Sequence, residues 1–211
     1  MLEEAGAQPS EFFAGEITRQ LPLFGLTLDK PALLGLSHYL ALLDLWRRRT
    51  NLTGPMSARE LVPHALESIF GEKLIPDGAR LLDIGSGAGL PGLPLAIVRV
   101  DLLVTLLEPR RKRADFLRLA VLGVPAPNAQ VLEQRVEKLG VAAYDVATVR
   151  ALGGLAGKID GAKFLVKTGT LLTWTTDPES VEGGLAGVFS LQTVTSVPGS
   201  RRRAVALFRK R

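Results

Sequence analysis

The segment that most constrains this chain is a short apolar run, Arg80-Leu81-Leu82-Asp83-Ile84, which passes directly into Gly85-Ser86-Gly87-Ala88-Gly89. A run of that length bounded by glycines reads as a buried strand. Glycine lets the backbone turn sharply and approach a ligand closely, because no Cβ intervenes. Residues 90–98 read as a helix, and its N-terminus favours negative charge. A strand, a glycine loop and a helix in succession point to an α/β fold with a ligand at the turn.

The remaining sequence repeats the alternation. Apolar runs at 102–107, 129–132, 145–149 and 163–167 predict four further strands, the last running towards Gly169. Residues 110–122 predict a helix with Ala114, Leu117 and Val121 facing inward. This pattern implies a mostly parallel sheet with helices on both faces. Residues 188–194 and 203–208 have no helical segment between them, so they predict an antiparallel C-terminal hairpin closing one sheet edge. Upstream, residues 1–75 read as a helical N-terminal cap on a core of residues 76–211. Asp29 suits an N-cap with Pro31 in the first turn, and Leu33, Leu36, Leu40, Leu43 and Trp46 follow on one face. That helix should stop near Thr50, and Ser57 can cap another through about Phe70.

Composition narrows the function classes. The chain has no cysteine, which excludes disulfides, thiolate-bound zinc and Fe–S clusters and fits a reducing cytoplasm. Two histidines, His38 and His64, are too few for a His-rich metal site, so no metal is expected. No apolar stretch approaches the ~20 residues that cross a bilayer, and no early apolar run reads as a secretion signal. No membrane partner is expected. The net charge is +5, with basic clusters at 47–49, 110–113, 201–203 and 209–211, which is compatible with a polyanionic partner.

The glycine spacing selects the ligand. A dinucleotide loop reads G-x-G-x-x-G, whereas this one reads D-x-G-x-G-x-G from Asp83 to Gly89. Without a pyrophosphate to cradle, such a loop can pass under the methionine and ribose of S-adenosylmethionine. Glu108 ends the second predicted strand, where a carboxylate can accept hydrogen bonds from both ribose hydroxyls. Together with the terminal hairpin, these features favour methyl transfer over hydride transfer.

The motifs then become specific. Asn51-Leu52-Thr53, His64-Ala65-Leu66-Glu67-Ser68, the run DIGSGAGLPGLP from Asp83 to Pro94, Leu107-Glu108 with Lys112-Arg113 and Phe116-Leu117, Arg135-Val136-Glu137 and Val149-Arg150-Ala151 occur in that order. In these segments the chain resembles the bacterial 16S ribosomal RNA (guanine-N7) methyltransferase G family, also called glucose-inhibited division protein B. The resemblance spans about residues 30 to 210, and its most specific piece is the G-L-P-G-L-P extension. It implies a Rossmann-like class I methyltransferase that methylates N7 of one guanine in 16S RNA. The implied partner is 16S rRNA or the 30S subunit, and the chain is expected to act as a monomer.

By the same resemblance Gly85, Gly87, Gly89 and Leu90 line the cofactor path, Glu108 holds the ribose, and Val136 and Glu137 flank the adenine. Arg150, after the fourth strand, holds either the cofactor carboxylate or the RNA. Guanine N7 has a free lone pair and no proton, so the reaction needs no general base. No catalytic acid or base is expected; the positioning candidates are Asn51, His64 and Arg150. His64 can orient substrate, support the cofactor loop or serve the fold, and Asn51 can contact the base or end a helix. For RNA, Arg110, Arg111, Lys112, Arg150 and Lys167 are expected on one edge of the sheet, while Arg113 pairs within the fold. The segment 151–159 holds only a stub of helix, and Thr168 stands between Lys167 and Gly169. Other readings are a non-catalytic S-adenosylmethionine-binding protein and a methyltransferase on a different nucleic acid. Competition between NAD and S-adenosylmethionine separates these from an oxidoreductase.

Overall fold

The computed structural model describes residues 7–141, 143–150 and 159–211. The expected helical stub falls almost wholly at 151–158, outside the described residues. Three helices precede the sheet: α1 (Ser10–Phe24), α2 (Lys30–Arg47) and α3 (Ala58–Phe70). Local signals set their ends. The Asp29 side chain accepts from Ala32 N at 2.8 Å, capping α2. Ser57 and Glu60 form a reciprocal capping box on α3.

The sheet has seven strands in the order β3-β2-β1-β4-β5-β7-β6. They are β1 (Arg80–Ile84), β2 (Leu103–Leu107), β3 (Ala129–Leu132), β4 (Tyr144–Arg150), β5 (Leu165–Thr175), β6 (Phe189–Ser196) and β7 (Ala204–Lys210). The first five are parallel, and β7 is antiparallel to both β5 and β6. Helix α4 (Gly92–Val98) follows β1, α5 (Arg111–Gly123) follows β2, and α6 (Pro178–Leu185) lies between β5 and β6. The terminal hairpin is present as the sequence predicts, with the later strand inside and β6 at the edge.

Adjacent strand residues belong to different buried clusters. Leu81, Leu172 and Val205 pack with the cap helices and with α4 and α5; Leu82, Leu171 and Ala206 pack with Leu185 of α6, Phe164 and Phe189. Both faces of the sheet are therefore covered, so β1 and β2 are mostly apolar rather than alternating, with Asp83 and Thr105 as their buried polar residues. Leu36, Tyr39 and Leu66 of the cap share their cluster with Leu93, Leu106 and Phe116, so cap and sheet bury one continuous apolar core.

Strand five departs from the expectation. It runs over Leu165–Thr175 rather than 163–167, and its pairing jumps from Tyr144↔Leu165 to Val146↔Thr170. The extra residues form a bulge around Lys167, Thr168 and Gly169. A Cβ on Gly169 would lie 2.9 Å from Leu165 Cβ and 3.0 Å from Val166 O, so the bulge requires glycine there. Lys167 consequently sits near the start of β5, level with the first residues of β4. Its expected place on the C-terminal edge is corrected: that edge is formed by Trp174 and Thr175, and Lys167 is exposed on the opposite one.

Candidate active site

The glycine loop stands at the C-terminal edge of β1, between β2 and β4. Gly85, Gly87 and Gly89 have φ of 72°, 55° and 97°, a region that side chains with a Cβ rarely adopt. The loop is fastened to its neighbours. Gly85 N and Ser86 N both donate to Leu107 O, at 2.8 and 3.0 Å, and Gly89 N donates to Ser86 O. Tyr39, reaching up from α2, donates its hydroxyl to Ala88 O at 2.8 Å, and burial raises its pKa.

Beneath the loop, Asp83 is fully buried. Its Oδ1 accepts from Thr148 Oγ1 at 2.9 Å and its Oδ2 from Gly92 N at 3.2 Å, tying β1 to β4 and to the start of α4. Burial pushes its carboxyl up to about 6, against the pull of its hydrogen bonds. The second glycine of G-L-P-G-L-P is explained by the same contact. A Cβ on Gly92 would stand 2.5 Å from Leu106 Cδ2 and 2.7 Å from Asp83 Oδ2. Helix α4 accordingly begins at Gly92, two residues later than expected.

Glu108, buried at the end of β2, bridges the loop to α5. Its Oε2 accepts from Gly87 N at 3.0 Å and its Oε1 from Arg110 N at 2.9 Å. Each oxygen keeps a further lone pair for another donor. A cleft of ≈ 330 Å³ opens beside it, lined by Gly85, Glu108, Arg110, Arg113, Val136 and Glu137 among others. Four of the expected cofactor residues therefore share one cavity. Gly87 contacts this group through Glu108. The Cβ position of Gly89 faces Leu117 and Tyr39 at 3.3 Å, so this glycine meets the protein interior. Leu90 packs against the main core cluster.

A second cleft, ≈ 480 Å³, is lined by Arg49, Thr50, Asn51 and Arg110 to Arg113. Arg110 and Arg113 line both cavities. Among the described residues no acid pairs with Arg49, Arg110, Arg111 or Lys112, and all four are exposed. Arg113, half-buried between the two clefts, donates to Asn51 O at 2.8 Å, so the cap's loop and α5 are joined.

Arg150 ends β4, one residue past the Val149–Ile84 pair, and its guanidinium reaches α3. Nη1 donates to His64 O and Ser68 Oγ; Nη2 donates to Glu67 Oε2 at 2.8 Å and lies 2.6 Å from His64 Nδ1. Four of the five N–H groups are thus spent on partners among the described residues. Glu67, itself buried, also pairs with Arg203, and its carbonyl accepts from Trp174 Nε1 at 2.6 Å. Burial lowers the Arg150 pKa against the opposing pull of Glu67. The sequence marks Arg203 only as part of the basic cluster 201–203 and does not mark Trp174, because nothing in their spacing links either to α3.

This architecture and motif set can be compared with known proteins. Residues 33–175 match the family described as rRNA small subunit methyltransferase G. The chain belongs to this family. The ribosomal RNA small subunit methyltransferase G of Xanthomonas axonopodis pv. citri (strain 306) is 41% identical over 175 residues, covering 82% of this chain and 77% of that one. The protein of the same name from Sorangium cellulosum (strain So ce56) is 42% identical over 155 residues, 70% of this chain and 63% of that one. Solved structures share the fold at low identity. A SAM-dependent methyltransferase from Aquifex aeolicus aligns with a TM-score of 0.54 and 16% identity, covering 69% of this chain and 91% of that one. A ribosomal protein L11 methylase from Lactobacillus delbrueckii subsp. bulgaricus aligns at 0.57 and 11% identity, covering 71% and 79%. The fold is that of the class I methyltransferases, as the family's sequence motifs imply.

Proposed function

We propose that this family member transfers a methyl group from S-adenosylmethionine to N7 of a guanine in 16S rRNA, acting as a monomer in the cytoplasm on the RNA or the 30S subunit. The observation that carries this reading is the pair of adjoining cavities. One is walled by the glycine loop, Glu108, Val136 and Glu137; the other is walled by cations; and Arg110 and Arg113 belong to both.

The residues present suit the cofactor. The positive-φ glycines leave backbone where a Cβ would intrude, and Glu108 offers free lone pairs to ribose hydroxyls. Val136 and Glu137 offer an apolar face and a polar edge to a purine. Bound there, S-adenosylmethionine supplies an activated methyl on a sulfonium. The protein's task is to bind, to orient and to exclude water, because N7 attacks without losing a proton. The cation-lined cavity suits RNA phosphates, which fix register without reading sequence. N7 is out of reach in the deep major groove of an A-form helix, so the target guanine must be unpaired or splayed.

The test is transfer of labelled methyl to naked 16S RNA and to intact 30S subunits, with the modified base mapped. Label at N7 of one guanine supports the reading. Cofactor binding without transfer to either substrate would replace it with a non-catalytic role, and label on another RNA would change the target.

A further inference from the structure

His64 stands on α3, which packs against α4 behind the glycine loop. Its Nδ1 is 2.6 Å from Nη2 of Arg150. A guanidinium nitrogen can only donate, so Nδ1 must accept and the ring must carry its proton on Nε2. Glu67 Oε2, at 3.6 Å, is beyond hydrogen-bond reach of Nδ1 and offers no competing arrangement. The tautomer is therefore fixed by the fold. The side chain is 28% exposed, and with Nδ1 turned inward the exposed edge is the one bearing Nε2–H. Among the described residues Nε2 has no partner.

Through Arg150 this donor is tied to the C-terminal edge of the sheet, on the β4 side of the glycine loop. Arg150 leaves β4 beside the strand that feeds the glycine loop. The loop itself is held on this side by the Tyr39 hydroxyl, which donates to Ala88 O. A base presenting N7 to this corner also presents its position 6. Guanine carries an acceptor there, O6, whereas adenine carries an amino donor.

We infer that His64, through its fixed Nε2–H, donates a hydrogen bond to O6 of the target guanine and selects guanine over adenine. The inference rests on the guanine-N7 reading above. Arg150 is then the positioning residue that holds the imidazole in the donor form, and Glu67 holds Arg150. A site built around one donor favours a base with a matching acceptor and leaves the donor unpaired against any other.

The test crosses protein variants with base analogues in 16S RNA carrying either guanine or 2-aminopurine at the mapped position. 2-Aminopurine keeps N7 and lacks O6. Its intrinsic difference in reactivity is common to all variants and cancels in the comparison. Wild-type protein should lose roughly ten- to a hundredfold in kcat/KM on 2-aminopurine beyond that intrinsic difference, the range for one hydrogen bond at a buried site. His64→Gln, which keeps a donor at the Nε2 position, should retain most of that discrimination. His64→Asn, which keeps only the acceptor for Arg150, and His64→Ala should show little or none. Circular dichroism and calorimetric S-adenosylmethionine affinity confirm that each variant is folded and loaded. Equal discrimination in wild type and His64→Ala overturns the inference, as does full rescue by Asn but not Gln, which would make His64 a partner of Arg150 alone. Failure of wild-type protein to methylate guanine N7 at all overturns the underlying reading instead.

Discussion

Replacing Asp83 with Asn tests the electrostatics beneath the glycine loop. The carboxyl is buried and its pKa stands at about 6 rather than 3.8. The gap corresponds to roughly 3 kcal/mol between the protonation states. Its sign follows from linkage. A raised folded-state pKa means that the native protein binds more protons than the unfolded chain between pH 4 and 6. The stabilisation is fully present below about pH 4 and is lost as pH rises through about 6. An asparagine keeps the acceptor for Gly92 N and can donate to Thr148 Oγ1 if that hydroxyl turns. It does not titrate. The assay is urea unfolding of both proteins from pH 4.5 to 7.5. Subtracting the variant's curve cancels groups such as Asp101, whose pKa is lowered by Arg99 and whose stabilisation is lost on acidification. The wild-type protein should lose about 2 kcal/mol relative to the variant across that range, because part of the change is already complete at pH 4.5. A flat difference, or one rising with pH, would show that Asp83 ionises as an ordinary carboxylate and that its burial is offset by its hydrogen bonds.

Further outcomes concern the two cavities. Gly87→Val should abolish S-adenosylmethionine binding by calorimetry. No atom lies closer than 3.6 Å to its Cβ position, so the obstacle is the φ of +55° and the intrusion on the ligand. Glu108→Ala should weaken cofactor affinity by about 1–3 kcal/mol, from lost hydrogen bonds to the ribose and a loosened Gly87. Changing Arg111 and Lys112 together to Ala, with Arg110 of the cofactor cleft left in place, should spare cofactor affinity, weaken RNA binding and flatten its salt dependence, because fewer counterions are released. An unchanged salt slope in filter binding would mark these as solvated charges and move attention to residues 201–203.

The parts of the fold legible in sequence were those written locally. The Asp29 cap, the Ser57 cap and the glycine loop each declare themselves within a few residues, and the structure has all three. Arg113 is a mixed case: it bonds to Asn51 O within the fold, yet it lines the same cleft as its neighbour Lys112. What sequence hid was set by distant partners. The extent of β5 depends on a bulge that only pairing with β4 reveals, and misjudging it put Lys167 on the wrong edge. The Glu67–Arg150–Arg203 cluster joins residues far apart in the chain, and no spacing rule connects them. Asp83 stood out as the acid before the glycines, but its clamp on Thr148 and Gly92 needed coordinates.

The strand order also sets the timing of folding during synthesis. β7 is translated after β6 yet lies inside it, bonded to β5 from Thr170–Arg209 to Thr175–Ala204. While a ribosome is still making residues 204–210, β5 presents an open edge and β6 has no partner in the sheet. An open apolar edge is a template for pairing with another chain. The emerging protein must therefore keep that edge from other strands until its last strand arrives. A chain that stopped after β6 would carry the whole glycine loop and Glu108 on a sheet left unfinished at β5.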